Sequence, residues 1–251
     1  MTTPTIPDPG TGRGTAPGAP RSVPSGLATT WTMASLTLLR LTRGRALGVS
    51  LVIAALPVAY AAAMRAVDRR GVSQELFAFE VLVLVVLAPM LVGASIGEEI
   101  EDRTTTYLWS RPVPRWTILA GKLAALAPVA MLAIAGSWVA ASVAAWGELP
   151  GVRTTAALAA GTLVVSLAAM GISALGPRHG TALTISYLLF FDLPLGVLPA
   201  TIQRISISFQ VRALSGGWPG EGSALGAMIA LAVIAAIWTT VGALRIRRLE
   251  A

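Results

Sequence analysis

A few residues have the types and spacing that a catalytic site would need. Residues 93–97, "GASIG", match the G-x-S-x-G pattern that presents a nucleophilic serine in soluble hydrolases. That pattern requires a sharp turn between a strand and a helix, whereas here it ends a long apolar stretch. The one histidine of the chain, His179, lies in the short segment "GPRHG" without an acidic partner beside it. We therefore expect no serine hydrolase and no catalytic residue.

The chain also lacks a nucleotide-binding loop. Gly121 and Lys122 form a Gly-Lys pair, but a P-loop needs another glycine five residues earlier and Ser or Thr directly after the lysine. With no cysteine and no clustered His and Asp residues, the sequence also predicts no metal site. We expect no cofactor in this chain, so any ATP on which it depends must be bound and hydrolysed by another chain.

Asp192 is the remaining candidate, because it interrupts an apolar segment. A helix that began at Thr181 would place it about 16 Å along the axis, near the middle of a bilayer, where carboxylates are costly and usually functional. Pro194 follows and predicts a kink or break. Three interpretations stay open: Asp192 lines a polar pathway, binds a cation or proton, or caps a helix that restarts at Pro194. Glu80 lies nearer a segment end, and we expect it to be solvated.

The composition places these residues in a membrane protein. Of the 251 residues, 55% are hydrophobic and only 12% are charged, and the mean hydropathy is +0.72. Soluble domains carry about 25% charged residues. The net charge of +7 does not indicate nucleic-acid binding, because the basic residues lie at the ends of apolar blocks. The sequence therefore predicts an all-α integral membrane protein.

Six segments are long enough to cross a bilayer, which takes about 20 helical residues. Helices are expected because a backbone exposed to lipid must satisfy its own hydrogen bonds. We place these segments in one transmembrane domain, residues 46–251. The predicted spans are about 46–64, 76–97, 119–146, 155–175, 181–202 and 223–244.

The distribution of basic residues predicts the orientation. An even number of spans puts both termini on one side, and that side would carry thirteen Lys and Arg residues against six on the other. By the positive-inside rule, both termini are cytoplasmic. The absence of asparagine and the single lysine suggest a GC-rich bacterial genome. We expect a multi-pass protein of the bacterial cytoplasmic membrane.

Three segments flank or connect the spans. Residues 1–26, with six Pro and five Gly, predict a disordered cytoplasmic tail. Residues 27–45 predict an amphipathic helix in the membrane interface, or else an extension of the first span into the headgroups. Its apolar residues at helical spacing are Leu27, Trp31, Ala34, Leu38 and Leu41. Residues 203–222, an apolar extracellular loop, predict either a re-entrant or interfacial hairpin or an ordinary loop that covers the helix ends.

Residues 98–118 form a charged cytoplasmic loop that is longer than a connection between two spans requires. It begins with Glu98, Glu99, Glu101 and Asp102 and continues with aromatic residues among further charges, as docking surfaces do. The alternative is an ordinary solvated loop. Lys122 follows at the start of the third span, where we expect it to snorkel into the headgroup region.

The run "EIEDRTTTYLWSRPVPRWTILAGKLAA" resembles the segment after the second span in permeases of the ABC-2 family of ATP-binding-cassette transporters. The family pattern has acids, a Gly-Thr pair, leucines, a basic-proline element and a lysine. This sequence departs from it at Arg103, where glycine is usual, and in the polar residues 105–107. The matching residues are Glu99, Glu101, Asp102, Thr104, Leu108, Arg111, Pro112, Arg115 and Lys122.

The resemblance implies an ABC-2-type, type V exporter-like bundle of six transmembrane helices. Such a permease pairs with a second copy or a homologous permease, and with two separate ATPase subunits that bind ATP and Mg. The loop 98–118 would dock on the ATPase, and spans two and five would flank the pathway, with Asp192 and Pro194 beside it. The residues implied in ATPase coupling are Glu98, Glu99, Glu101, Asp102, Thr104, Leu108, Arg111, Pro112, Arg115 and Lys122.

The function implied by the resemblance is export of a hydrophobic or amphipathic substrate, such as a drug, a peptide or a lipid. This chain would be the non-catalytic subunit, in contact with membrane lipids but not with nucleic acid. One alternative is a permease-like component that couples an ATPase to signalling or mechanical work without transport. Another is an intramembrane enzyme, which would need polar groups at matched depths, whereas Asp192 and Glu80 lie at different depths.

Overall fold

The described part of the chain folds almost entirely into helices. A computed structural model describes residues 26–67, 73–101, 115–198, 201–216 and 223–248, with the side chains of 94–101, 115, 177 and 246–248 left aside. Most of the predicted tail, residues 1–26, lies outside this part, and Gly26 already begins the first helix. The α-helices are α1 (Gly26–Arg43), α2 (Arg45–Ala66), α3 (Ser73–Glu101), α4 (Arg115–Trp146), α5 (Val152–Leu175), α6 (Gly180–Tyr187), α7 (Leu193–Val197), α8 (Ile207–Ser215) and α9 (Ala224–Arg248).

Six helical stretches of the described residues are long and apolar enough to cross a membrane, which confirms the predicted fold class. The fifth is composite, because α6 and α7 are joined by a π-helical turn, Leu188–Asp192. We call the end of the bundle that carries the α4–α5 connection the outer end, in keeping with the predicted orientation. The spans are Arg45–Ala66, Ser73–Gly93, Trp116–Trp146, Val152–Leu175, Gly180–Val197 and Ala224–Arg245.

Helices α3 and α5 form the centre of the bundle. In each of these spans, 72% of the most apolar stretch is buried, against 22% for α2 and 11% for α9. Leu84 and Leu87 of α3 and Leu158 and Val165 of α5 have almost no exposed surface. The outer helices leave apolar side chains uncovered, as expected where lipid or another subunit takes the place of water.

Helix α1 packs along α4, and a glycine permits the close approach. A Cβ atom on Gly121 would lie 2.7 Å from the carbonyl oxygen of Thr30 and 2.8 Å from the Cβ of Met33. Of the predicted apolar stripe, Ala34 and Leu41 are buried, and Leu27, Trp31 and Leu38 are exposed. The placement of α1 in the membrane interface stays a prediction.

Candidate functional site

The segment between the fifth and sixth spans folds back into the bundle. A 3-10 turn at Thr201–Ile205 leads into α8, which packs against α5, α7 and α9. Val211 of α8 contacts Gly161, which lies nine residues into α5 and so about 14 Å from its start. Most of α8 is buried, as a re-entrant segment would be, and an ordinary loop over the helix ends does not describe it. The buried residues are Ile207, Ser208, Phe209, Gln210, Val211, Ala213 and Ser215.

Asp192 holds the beginning of α8. Its side chain is only 2% exposed. Its Oδ1 accepts a hydrogen bond from the backbone N–H of Ile207 at 2.6 Å, and its Oδ2 accepts one from the N–H of Ser208 at 2.9 Å. These are the first two amides of α8, which have no partner inside their own helix. The negative charge also favours the positive end of the helix dipole.

Two serines complete this cluster. Ser206, the N-cap of α8, accepts a hydrogen bond from the N–H of Phe209 at 3.1 Å and donates one to the carbonyl oxygen of Asp192 at 2.9 Å. The hydroxyl of Ser208 lies 2.8 Å from that of Ser206. Sequence reasoning identified Asp192 but missed both serines, although "SIS" before an amphipathic stretch carries a helix-start signal.

Asp192 does cap a helix, but that helix is α8 and not the one that contains Pro194. Its backbone is helical, and its side chain makes no capping bond to the helix at Pro194. The helix does not restart there, because it continues through the π turn, in which the N–H of Leu193 bonds to the carbonyl of Leu188, five residues back. This widened turn accommodates Pro194, which has no N–H to donate.

Two arginine side chains link α8 to neighbouring helices by hydrogen bonds to backbone carbonyl oxygens. Arg212 donates a hydrogen bond to the carbonyl oxygen of Gly196. At the other end, the Nε of Arg153 donates to the carbonyl oxygen of Leu214 at 2.8 Å, beside Gly216, which ends α8 with a φ of 76°. Because both carboxylate oxygens of Asp192 accept backbone hydrogen bonds, the cluster is built to hold a helix. A role for Asp192 and Pro194 in a transport pathway stays a prediction.

Removing the buried cap should weaken this attachment. We expect Ser206→Ala to lower the free energy of unfolding by about 1 kcal/mol, because the N–H of Phe209 loses its acceptor. Ser223 is a matched control, because its hydroxyl accepts from the N–H of Gly226 at 3.1 Å in an exposed position at the start of α9. Chemical unfolding in micelles should show a smaller loss for Ser223→Ala, where water can replace the hydroxyl. Equal losses would contradict the role of burial.

Glu80 is buried, so the prediction that it is solvated is wrong. Its side chain has no exposed surface. One oxygen, Oε2, lies 3.2 Å from the hydroxyl of Ser137 on α4, and that hydroxyl lies 2.7 Å from the carbonyl oxygen of Ala54 on α2. The physical reason is that α2 and α4 close over α3 here.

Half of the ten predicted ATPase-coupling residues lie outside the described part of the chain. The backbone of Glu98, Glu99 and Glu101 belongs to the last turns of α3, and Arg115 begins α4. The residues outside are Asp102, Thr104, Leu108, Arg111 and Pro112. Their contact with an ATPase stays a prediction.

Lys122 does not snorkel into the headgroups. Its side chain is only 5% exposed, because α1 covers α4 beside it. This prediction from the sequence is therefore wrong.

Metal ligation has no candidate in the described residues, which contain no group of three or more His, Asp or Glu side chains that could hold an ion.

Comparison with known proteins identifies the family of this bundle. A family model described as ABC-2 family transporter protein matches residues 39–202, well over half of the chain. The matched part contains five of the six spans found among the described residues. No curated protein matches the chain significantly. The chain therefore belongs to the ABC-2 family, as a multi-pass permease subunit of an ABC transporter.

Proposed function

We propose that this permease exports hydrophobic or amphipathic molecules, driven by ATP that separate subunits hydrolyse. Two ATPase subunits and a second permease, either a copy or a homologue, complete the transporter. Residues 98–118 are the ATPase-docking segment. The observation that carries the proposal is the place of this segment between the two longest helices, α3 and α4.

These helices are suited to pass on a movement made at the docking segment. Helix α3 has 29 residues and α4 has 32, whereas a bilayer needs about 20. Helix α3 runs without interruption from the buried centre to Glu101. A force on residues 98–118 would therefore act along two long helices, both of which pack against α5 in the centre of the bundle.

The charges of the docking segment suit a reversible cytoplasmic contact. Acidic residues precede position 103 and arginines follow at 111 and 115. Complementary charges set the register and the association rate of an interface more than its maximum affinity. A contact that must close and open in each ATP cycle needs this kind of interaction.

The surface of the fifth span supports an apolar substrate. Phe190 and Phe191 are 71% and 61% exposed, whereas the neighbouring carboxylate of Asp192 is turned towards α8. The uncovered side of this span is therefore mostly apolar and includes two aromatic rings. Hydrophobic and amphipathic molecules match such a surface better than strongly charged ones do.

The docking step can be tested in the full complex. We expect Arg115→Ala, or Glu101→Ala with Asp102→Ala, to lower ATPase co-purification and ATP turnover by about tenfold, the equivalent of 1.4 kcal/mol at the interface. Glu148→Ala is the control, because Glu148 is an exposed acid at the outer end. If both docking variants retained the ATPase as fully as this control, residues 98–118 would not be the docking segment.

ATP-dependent uptake of a lipophilic dye into inverted vesicles tests the direction of transport, and its absence with an active ATPase would contradict export.

A further inference from the structure

The buried carboxyl group of Glu80 has no part in the proposed transport step. It lies where α2, α3 and α4 meet, and through Ser137 it is connected to the carbonyl oxygen of Ala54. We propose that Glu80 is a proton-binding site whose proton holds α2 against α3 and α4.

The positions of the hydrogen atoms follow from the donors present. A carbonyl oxygen can only accept, so the 2.7 Å contact between Ser137 Oγ and the Ala54 oxygen requires the hydroxyl hydrogen of Ser137. That hydroxyl has no second hydrogen for Oε2 of Glu80, 3.2 Å away. The carboxyl group must then donate to Ser137 Oγ. The contacts form a chain from Glu80 through Ser137 to Ala54 only if Glu80 carries a proton.

The surroundings of Glu80 also favour the neutral acid. Its second oxygen, Oε1, is buried and has no hydrogen-bond partner among the described residues. A buried carboxylate is stable only when it is paired or accepts several hydrogen bonds.

The charged groups on the surrounding helices bond elsewhere or lie far away. Arg65 of α2 donates to the carbonyl oxygen of Ala144 at 3.2 Å, and Tyr60 of α2 donates to Glu75 of α3 at 3.5 Å. Lys122 of α4 is fifteen residues from Ser137, about 22 Å along the helix. On α5, Arg153 bonds to Leu214 at the outer end. Counter-charge for an ionised Glu80 would have to come from a rearrangement.

A cavity at the outer end gives the proton a route. It has a volume of about 270 Å³, and its lining includes Phe77 and Trp138. Phe77 precedes Glu80 by one helical turn, and Trp138 follows Ser137 directly. The two rings meet edge to face with centroids 5.5 Å apart. Both rings line the cavity and lie within one helical turn of Glu80 or Ser137 in the sequence, so water that entered past them would approach the carboxyl group.

Loss of the proton should loosen α2. Of the three helices that meet at Glu80, α2 has the smallest buried share, 22% of its apolar stretch, so we expect it to be the one that moves. Deprotonation removes one hydrogen bond and leaves a charge in a dry site. Separation of α2 from α3 and α4 lets water solvate that charge. Proton release and movement of α2 are thus linked.

Infrared spectroscopy of the full chain in lipid nanodiscs tests the bound proton. We expect a protonated-carboxyl band at neutral pH that is lost in Glu80→Gln, whose amide can still donate to Ser137. Ser137→Ala should shift the band, because it removes the hydrogen-bond partner. Glu75→Gln, an exposed acid on the same helix, should leave it unchanged. If the wild-type minus Glu80→Gln difference contained only a carboxylate band, the bound proton would be excluded.

Spin labels test the linked movement. Because the chain has no cysteine, Val52→Cys with Leu132→Cys places one pair of labels on exposed faces of α2 and α4. We expect the distance between the labels to increase as the pH rises through the loss of the infrared band, and to stay constant in the Glu80→Gln background. A constant distance in both would overturn the link to α2. Neither measurement needs transport or an ATPase, so its outcome is separate from that of the proposed function.

Discussion

Asp192→Ala is expected to lower the free energy of unfolding by about 3 kcal/mol, because two buried amides lose their acceptor and each costs roughly 1–3 kcal/mol. The amides are those of Ile207 and Ser208, at 2.6 and 2.9 Å from the carboxylate. Helix α8 should then detach from α7 at this end. Chemical unfolding in micelles measures the loss, and proteolysis near residue 206 reports the detachment.

Asp192→Asn tests the hydrogen bonds alone, because it changes the acceptors and leaves the side-chain volume nearly the same. Its oxygen can still accept from one amide, but its NH₂ group faces the other donor, so we expect roughly half of the loss seen with alanine. Glu148→Gln, an exposed acid at the outer end, should change stability by less than about 0.5 kcal/mol. A loss for Asp192→Ala no greater than that of Ser206→Ala would show that the carboxylate does not hold α8.

The spans were predictable from the sequence because hydrophobicity acts locally. A stretch of about 20 apolar residues must form a helix in a bilayer whatever its neighbours are. The predicted third span, 119–146, accordingly ends at the same Trp146 as α4. The start of α4 at Arg115 was not predicted, because polar residues at a helix end carry no hydropathy signal. The π turn at Leu188–Asp192 was missed for a similar reason, since proline predicts a disturbance and not its form.

The partners of the buried acids could not be predicted. Asp192 bonds to amides fifteen and sixteen residues later, and Glu80 contacts a serine fifty-seven residues away. Such pairs depend on which helices pack together, and hydropathy does not contain that information. The spacing of Asp192 and Pro194 favoured a local cap. In the folded chain the carboxylate accepts from the amides of α8 instead, because these amides are buried and have no water to bond.

Helix α9 packs on the bundle through a close glycine contact with α5. Gly171 of α5 meets the backbone of α9, where a Cβ atom would lie 2.7 Å from the carbonyl oxygen of Trp238 and 3.0 Å from a carbon of its ring. A Cβ atom on Gly242 would lie 3.5 Å from the Cα of the same glycine. Only 11% of the apolar stretch of α9 is buried, so this crossing is a large part of its attachment.

Gly171→Leu should displace α9, at a cost of about 3 kcal/mol, the upper end of the usual range for overpacking, because the obstacle includes backbone. Gly136→Leu on α4 is the matched control, since a Cβ there meets nothing within 4 Å, and the better helix former could add up to about 1 kcal/mol. Leu231→Cys, buried on α9, should react with a thiol reagent faster in the Gly171→Leu background. Adding Trp238→Ala should restore only part of the stability, because the carbonyl oxygen remains. Full restoration would show instead that the indole ring is the whole obstacle and that the two backbones do not need to meet.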